Sequence, residues 1–174
     1  MKTYIFYDTD LYGQSEYNIC QDEYKELIRT LCKYSTTFSV LKTNPNTESS
    51  DMFNKLKNFE IEKSADITHK FSHYREKTTK VFYYRVCPEL CEIILQNTDN
   101  IFCWIDGWDY KNPEDPTFYR ENGSILFTST IHDGECALFV ENENFENILS
   151  NKLWLKETDE GFYRQGMNTK VYPK

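Results

Sequence analysis

Several things are scarce in this sequence, and each scarcity narrows the field. No apolar run exceeds a few residues, whereas about 18 consecutive apolar residues are needed to cross a bilayer. Glycine occurs only six times in 174 residues. No glycine-rich phosphate loop, Gly-x-Ser-x-Gly turn or dinucleotide fingerprint is present, and none of the chemistries built on those turns is expected. No repeat and no low-complexity tract interrupts the chain. The opening Met1-Lys2-Thr3-Tyr4-Ile5-Phe6-Tyr7 runs directly into Asp8 and Asp10, which is unlike a secretory leader. Basic residues are the minority: 20 Lys and Arg against 28 Asp and Glu give a net charge of −8. Nucleic-acid affinity rests on clustered Lys and Arg neutralising phosphates, so duplex binding is not expected.

What is present describes a soluble, cytoplasmic, aromatic-rich domain. Hydrophobic residues make up 39% and aromatic residues 16% of the chain, too many for a disordered polymer. The length predicts one globular domain spanning residues 1–174 with a single sizeable core. Six cysteines, at 20, 32, 87, 91, 103 and 136, are read as reduced, because a chain of this length needs no stapling and shows no secretory signal. Cys20, Cys103 and Cys136 stand among apolar neighbours and read as small core hydrophobes.

Charge is unevenly spread. Residues 55–80 carry seven basic and four acidic side chains, whereas residues 106–160 carry four basic and thirteen acidic ones. The acidic half serves as a solvated surface and also attracts basic partners.

Lys2–Tyr7 reads as a strand. Tyr17, Cys20, Tyr24, Leu27, Ile28 and Leu31 share one face at a 3.6-residue period, with Asp22, Glu23, Lys25, Glu26 and Arg29 opposite, which predicts an amphipathic helix. Residues 36–41 read as a strand. Ser50 or Asp51 is placed to cap a short helix containing Met52, Phe53, Leu56 and Phe59. Residues 60–78 have few large apolar groups and no clean period, and are read as a mobile segment or one ordered only by a partner. A strand over 81–86 follows, then a helix opened by Cys87-Pro88-Glu89 with Leu90, Ile93 and Ile94 facing inward. Residues 101–106 read as a strand. Asn122-Gly123 and Asp133-Gly134 are hairpin signals that predict a three-stranded meander over 118–140. A short amphipathic helix carrying Phe145, Ile148 and Leu149, and an apolar Leu153-Trp154-Leu155, complete the chain. The fold class is α+β, a mainly antiparallel sheet with helices on one face.

Three sets of residues have chemistry to offer. Asp8 and Asp10, after an apolar strand, have the Asp-x-Asp spacing with which phosphotransferases of the haloacid dehalogenase type hold magnesium, the first Asp as nucleophile. Such enzymes need a further acidic pair on an alternating βα framework, and a polar turn ending a strand explains the same residues. His69 and His73 are four apart, as are Cys87 and Cys91, and two such pairs would make a tetrahedral zinc site. Surface histidines and helix-start cysteines explain the same residues and are the favoured reading, since Cys-x-x-x-Cys is an uncommon zinc spacing and the histidines lie in a poorly patterned stretch. Cys87 at a helix N-terminus is a candidate low-pKa thiol, and His132 beside Asp133 and Glu135 a candidate acid/base.

The third set is a loop. Asp106, Trp108, Asp109, Tyr110, Glu114 and Asp115 put four carboxylates and two large aromatics close together, without the ligand spacing of an EF-hand. Aromatic anchors carry interface energy and acidic neighbours steer a basic partner. The expectation is a non-enzymatic, immunity-like or regulatory protein, with no cofactor, that binds a basic protein through this loop.

The stretches Lys80-Val81-Phe82-Tyr83-Tyr84-Arg85-Val86, Pro113-Glu114-Asp115-Pro116-Thr117-Phe118-Tyr119-Arg120 and Thr130-Ile131-His132-Asp133-Gly134-Glu135 resemble a family of small uncharacterised bacterial proteins. That family pairs a Pro-Glu-Asp-x-x-Phe-[Tyr/Leu]-Arg stretch with a Thr-Ile-x-His-Glu-like hairpin. The likeness covers roughly residues 80–150 and, more faintly, 20–42. Here Asp133-Gly134-Glu135 stands in place of the direct His-Glu pair. The family has no established activity, so the resemblance implies a compact bacterial α+β domain and no catalytic residue.

Overall fold

The structure, a computed structural model, describes residues 2–7, 21–42, 50–65, 80–101, 104, 113–131, 135–145 and 155–158. Its elements in chain order are β1 (Lys2–Tyr7), α1 (Gln21–Tyr34), β2 (Thr37–Lys42), α2 (Asp51–Leu56), β3 (Glu60–Ala65), β4 (Lys80–Arg85), α3 (Pro88–Asn97), β5 (Glu114–Tyr119), β6 (Ile125–Thr130), β7 (Glu135–Val140) and β8 (Leu155–Thr158). The strands form one sheet in the order β3-β4-β2-β5-β6-β7-β1-β8. Every pairing in it is antiparallel.

Alternation along the strands gives the sheet two chemically different faces. Phe38 and Val40 of β2, Phe82 and Tyr84 of β4, Phe118, Phe127, Cys136 and Leu138 all lie on one face. They share a core cluster with Tyr24, Leu27, Ile28 and Leu31 of α1, Met52, Phe53 and Leu56 of α2, and Leu90, Cys91 and Ile94 of α3. The chain is thus α+β, with its helices packed on one side of a mostly antiparallel sheet. Aromatic rings fill the centre: Phe38 lies 4.8 Å from Phe118 and 5.7 Å from Trp104 between centroids, and Phe53 meets Phe82 edge-on at 5.1 Å. Such tilted and edge contacts add to the area that each ring buries.

The helices follow their sequence signals. In α1 the four residues of the expected face, Tyr24, Leu27, Ile28 and Leu31, are buried; the positions before Gln21, with Tyr17 and Cys20, lie outside the described residues. The Tyr24 hydroxyl sits 2.5 Å from Thr98 Oγ1, which donates to the Ile94 carbonyl at 2.7 Å. This chain of bonds ties α1 to the C-terminal end of α3. Ser50 is the cap of α2, its Oγ accepting from the Phe53 N–H at 3.3 Å. Cys87 caps α3 with Pro88 following, where the missing proline N–H goes unneeded.

Residues 60–65 form β3, paired to β4 through Glu60↔Tyr84 and Lys63↔Phe82; the rest of the segment 60–78 lies outside the described residues. One expectation is corrected. Residues 101–106 were expected as a strand, yet Ile101 and Trp104 are in turns. Both are buried in the main core, so their apolar character reflects packing under the sheet, not alternation along a strand. The meander is as expected, and β5 starts earlier, at Glu114. Its first turn closes differently from a two-residue hairpin. The Gly123 N–H donates to the Arg120 carbonyl at 2.9 Å, and the Arg120 N–H to the Ser124 carbonyl at 2.8 Å. Gly123 alone of the turn takes a positive φ, 76°, as the left-handed position after a type I turn requires. The expected helix after Phe145 and the turn at Asp133-Gly134 lie outside the described residues.

Candidate functional site

β5 occupies the interior of the sheet and is buried along its whole length. Its first half is irregular. Between Ser39↔Thr117 and Leu41↔Glu114 the register with β2 shifts, so Asp115 and Pro116 face the single residue Val40 across a bulge. Pro116 has no N–H to give, and a bulge is where an interior strand tolerates that loss. Asp115 takes a φ of 50°, a left-handed conformation that Asp adopts more readily than most residues. Its carboxylate Oδ1 accepts the Ile131 N–H at 2.8 Å, fastening the bulge to the end of β6. Ser129 Oγ donates to the Pro116 carbonyl at 3.1 Å, and Thr117 Oγ1 lies 3.0 Å from Thr128 Oγ1.

These contacts correct part of the expected binding loop. Glu114 and Asp115 do not stand on a solvated loop; each is 2% exposed. Asp115 serves a backbone amide, and Glu114 lies opposite Leu41 on the face away from the helices. Asp106, Trp108, Asp109 and Tyr110 lie outside the described residues. So do Asp8, Asp10, His69, His73 and His132. Among the described residues no group of three or more His, Cys, Asp or Glu is placed to hold a metal ion, and no helix is long and apolar enough to cross a membrane.

The face away from the helices carries a seam of hydroxyls within a small apolar patch. Leu41, Val81, Tyr83 and Tyr119 form the patch, and Tyr83 and Tyr119 stand 6.2 Å apart. Ser39 Oγ is 3.2 Å from the Tyr119 hydroxyl. Burial pushes that phenol up to about 12, opposed by its hydrogen bonds to Ser39 and Thr117, so it remains a neutral O–H at ordinary pH.

The other end of β5 is closed by Arg120. Its guanidinium donates to Glu143 Oε1, to the Ile125 carbonyl at 2.7 Å, to Ser124 Oγ at 3.3 Å and to the Phe139 carbonyl. One planar fork thereby joins β5, β6, β7 and the segment after β7, as Arg is shaped to do. Burial works to raise the Glu143 carboxyl, but the Arg120 hydrogen bond and the N–H groups of Glu141 and Glu143 prevail and hold it down at about 2. Glu143 Oε2 accepts the Glu141 N–H at 2.7 Å. Asp115, Thr117 and Arg120 of the Pro-Glu-Asp stretch therefore have structural roles, which spacing alone did not disclose. The signal available was an acid and a proline flanking a β-rich run, the composition of a bulge.

The arrangement offers a rigid, buried strand that begins at Glu114, immediately after the residues carrying Trp108 and Tyr110. Set against protein-family models, curated proteins and solved structures, the chain matches none of them.

Proposed function

We propose that this protein is a non-enzymatic binding protein, immunity-like or regulatory in kind, that engages a basic protein partner through Asp106, Trp108, Asp109 and Tyr110. The observation that supports this reading is the anchorage of β5. Pro113 is buried and the strand after it is bonded on both sides, so residues 106–110 lie in sequence just before an interior strand, and recognition residues concentrate next to such scaffolds. Glu114 and Asp115 belong to that anchor and not to the contact surface.

A second support is that the buried polar side chains around β5 are engaged inside the fold. Asp115, Thr117, Thr128, Ser129, Arg120 and Glu143 all hold strands together. The all-antiparallel pairing of the described strands also differs from the alternating βα framework on which an Asp-x-Asp phosphotransferase is built. The partner is a basic protein and not a nucleic acid, because a net charge of −8 repels phosphates. The Cys32, Cys87 and Cys91 thiols suit a reducing, cytoplasmic setting.

The test is capture of basic proteins from lysate of the native cell, with the captured protein identified and its kinetics measured against purified variants. Trp108→Ala should speed dissociation, with a loss of about 2 kcal/mol or more, as for an interface anchor. Asp106→Asn with Asp109→Asn should slow association most at low salt. A magnesium-dependent phosphatase activity abolished by Asp8→Asn would replace this reading with the hydrolase one.

A further inference from the structure

The peptide bond from Asp115 to Pro116 is held under strain and gripped on both sides by β6 and its end. Among the described residues Asp115 is the one non-glycine residue with a positive φ, 50°, whereas a residue before proline ordinarily takes a φ of about −120°. Backbone held outside its preferred region is characteristic of places where a fold does chemistry. The Ile131 N–H holds the Asp115 carboxylate through Oδ1 at 2.8 Å. Thr117 Oγ1 donates to the Asp115 carbonyl oxygen at 3.3 Å and lies 3.0 Å from Thr128 Oγ1, leaving Thr128 as the donor to Thr117. On the far side, Ser129 Oγ donates to the Pro116 carbonyl at 3.1 Å. Asp115 and Thr117 are both buried, and oriented donors are strongest where water is excluded.

We propose that Asp115–Pro116 is a self-cleaving peptide bond, at which the Asp115 carboxyl displaces the Pro116 nitrogen and divides the chain into residues 1–115 and 116–174. The attacking group and the carbonyl it attacks belong to one residue and close a five-membered ring. Burial therefore does not hinder the attack as it would hinder an external protease. The Pro116 nitrogen is a tertiary amide with no N–H to give the sheet, and it departs as a secondary amine. The Thr128–Thr117 relay points at the oxygen on which negative charge develops.

In the acid form of the carboxyl, Oδ2 bonds to the Asp115 carbonyl carbon and the carbon–nitrogen bond breaks. Its electron pair stays on the Pro116 nitrogen, which takes the carboxyl proton. Residue 115 is left as a cyclic anhydride, and one water opens it to two carboxyl groups as the cut ends part. The sum is one peptide bond and one water converted to a new C-terminus and a new N-terminus. Release from the bulge lets Asp115 leave its left-handed conformation, which favours the forward direction. The two pieces stay assembled, because Thr37↔Tyr119 and Phe38↔Phe118 between β2 and β5, and the ladder of β1 with β7, join them. The event happens once per chain and stands apart from the binding reading.

The test follows the full native chain in mildly acidic buffer, its fold checked by circular dichroism, against the same chain unfolded in urea at the same pH. Denaturing electrophoresis and intact-mass spectrometry read the cut. The expected result is two pieces, one ending at Asp115 and one beginning at Pro116. They should form about tenfold faster or more in the folded chain, because only the fold orients the donors. Asp115→Ala should leave the chain whole, and Thr117→Val should slow the cut by about tenfold or more. Any Asp–Pro bond has some lability in acid, so the ratio of folded to unfolded rates in the wild type decides the matter, whether or not a variant folds. If the folded chain stays whole, or is cut no faster than the unfolded one, the proposal is overturned. It is equally overturned if Asp115→Ala is cut at the same bond or Thr117→Val is cut at the wild-type rate.

Discussion

Arg120 and Glu143 show how a surface-type residue pair becomes part of the interior. Each side chain retains 9% of its exposure, and the guanidinium reaches two backbone carbonyls besides the carboxylate. Removing one member leaves the other buried without its countercharge, which costs about 3–5 kcal/mol. Glu143→Ala should therefore destabilise the fold by that amount in urea melts at neutral pH. The pair also sets an acid limit. Glu143 sits at about 2 in the folded chain, against 4.5 ordinarily. A lowered folded value means that the unfolded chain takes up the proton first. The contribution is complete above about pH 4.5 and drains away as pH falls toward 2. Urea midpoints measured from pH 7 to pH 2 should fall across that window, and Glu143→Ala should flatten the fall. Nothing local in the sequence discloses this pair, because Arg120 and Glu143 are 23 positions apart and each, taken singly, reads as exposed. The burial of Glu114 and Asp115 was hidden for the same reason: carboxylates are nearly always solvated, and only the bulge opposite Val40 makes them otherwise.

Among elements, legibility tracked how strongly each one's own pattern fixed it. α1 was plain because four apolar residues at helical spacing face a charged side, and the meander was plain because Asn122-Gly123 separates two β-rich runs. β3 was not visible. Glu60-Ile61-Glu62-Lys63 shows no apolar alternation, since an edge strand is held by its ladder to β4 and its charges discourage further pairing. Ile101 and Trp104 misled in the opposite direction, because a short apolar run does not distinguish strand residues from core residues held in turns. α2 is the shortest of the described α-helices, six residues, and leans on its cap. Ser50→Ala removes the acceptor for the Phe53 N–H and should cost about 1 kcal/mol, read as a lower urea midpoint with an unchanged slope.

Across the whole molecule, the sheet is stitched from both ends of the chain. β1 lies between β7 and β8, pairing Lys2 with Val140 and Thr3 with Thr158. It is the only described neighbour of β8. Deleting residues 2–7 should therefore strip one flank of β7 and all described pairing of β8. The expected outcome is loss of a single cooperative urea transition together with self-association on size exclusion, since opened ladders recruit other chains. A deletion variant that melts sharply as a monomer would mean that this flank is dispensable. The α+β class was legible at this scale from the order of the elements, but the placing of β1 was not, as no short-range signal states which distant strand completes a pair.

The placement of β1 also has a consequence in time. During synthesis Tyr7 leaves the ribosome 128 residues ahead of Glu135, the first residue of β7. At about 5–20 residues per second that is a wait of roughly 6–26 s. Through that interval Thr3-Tyr4-Ile5-Phe6-Tyr7, an uncharged run of strong β-formers, is a nascent segment with its ladder groups open to any passing chain. Slower translation between β1 and β7, which assists folds made from sequence-adjacent strands, would here prolong the exposure.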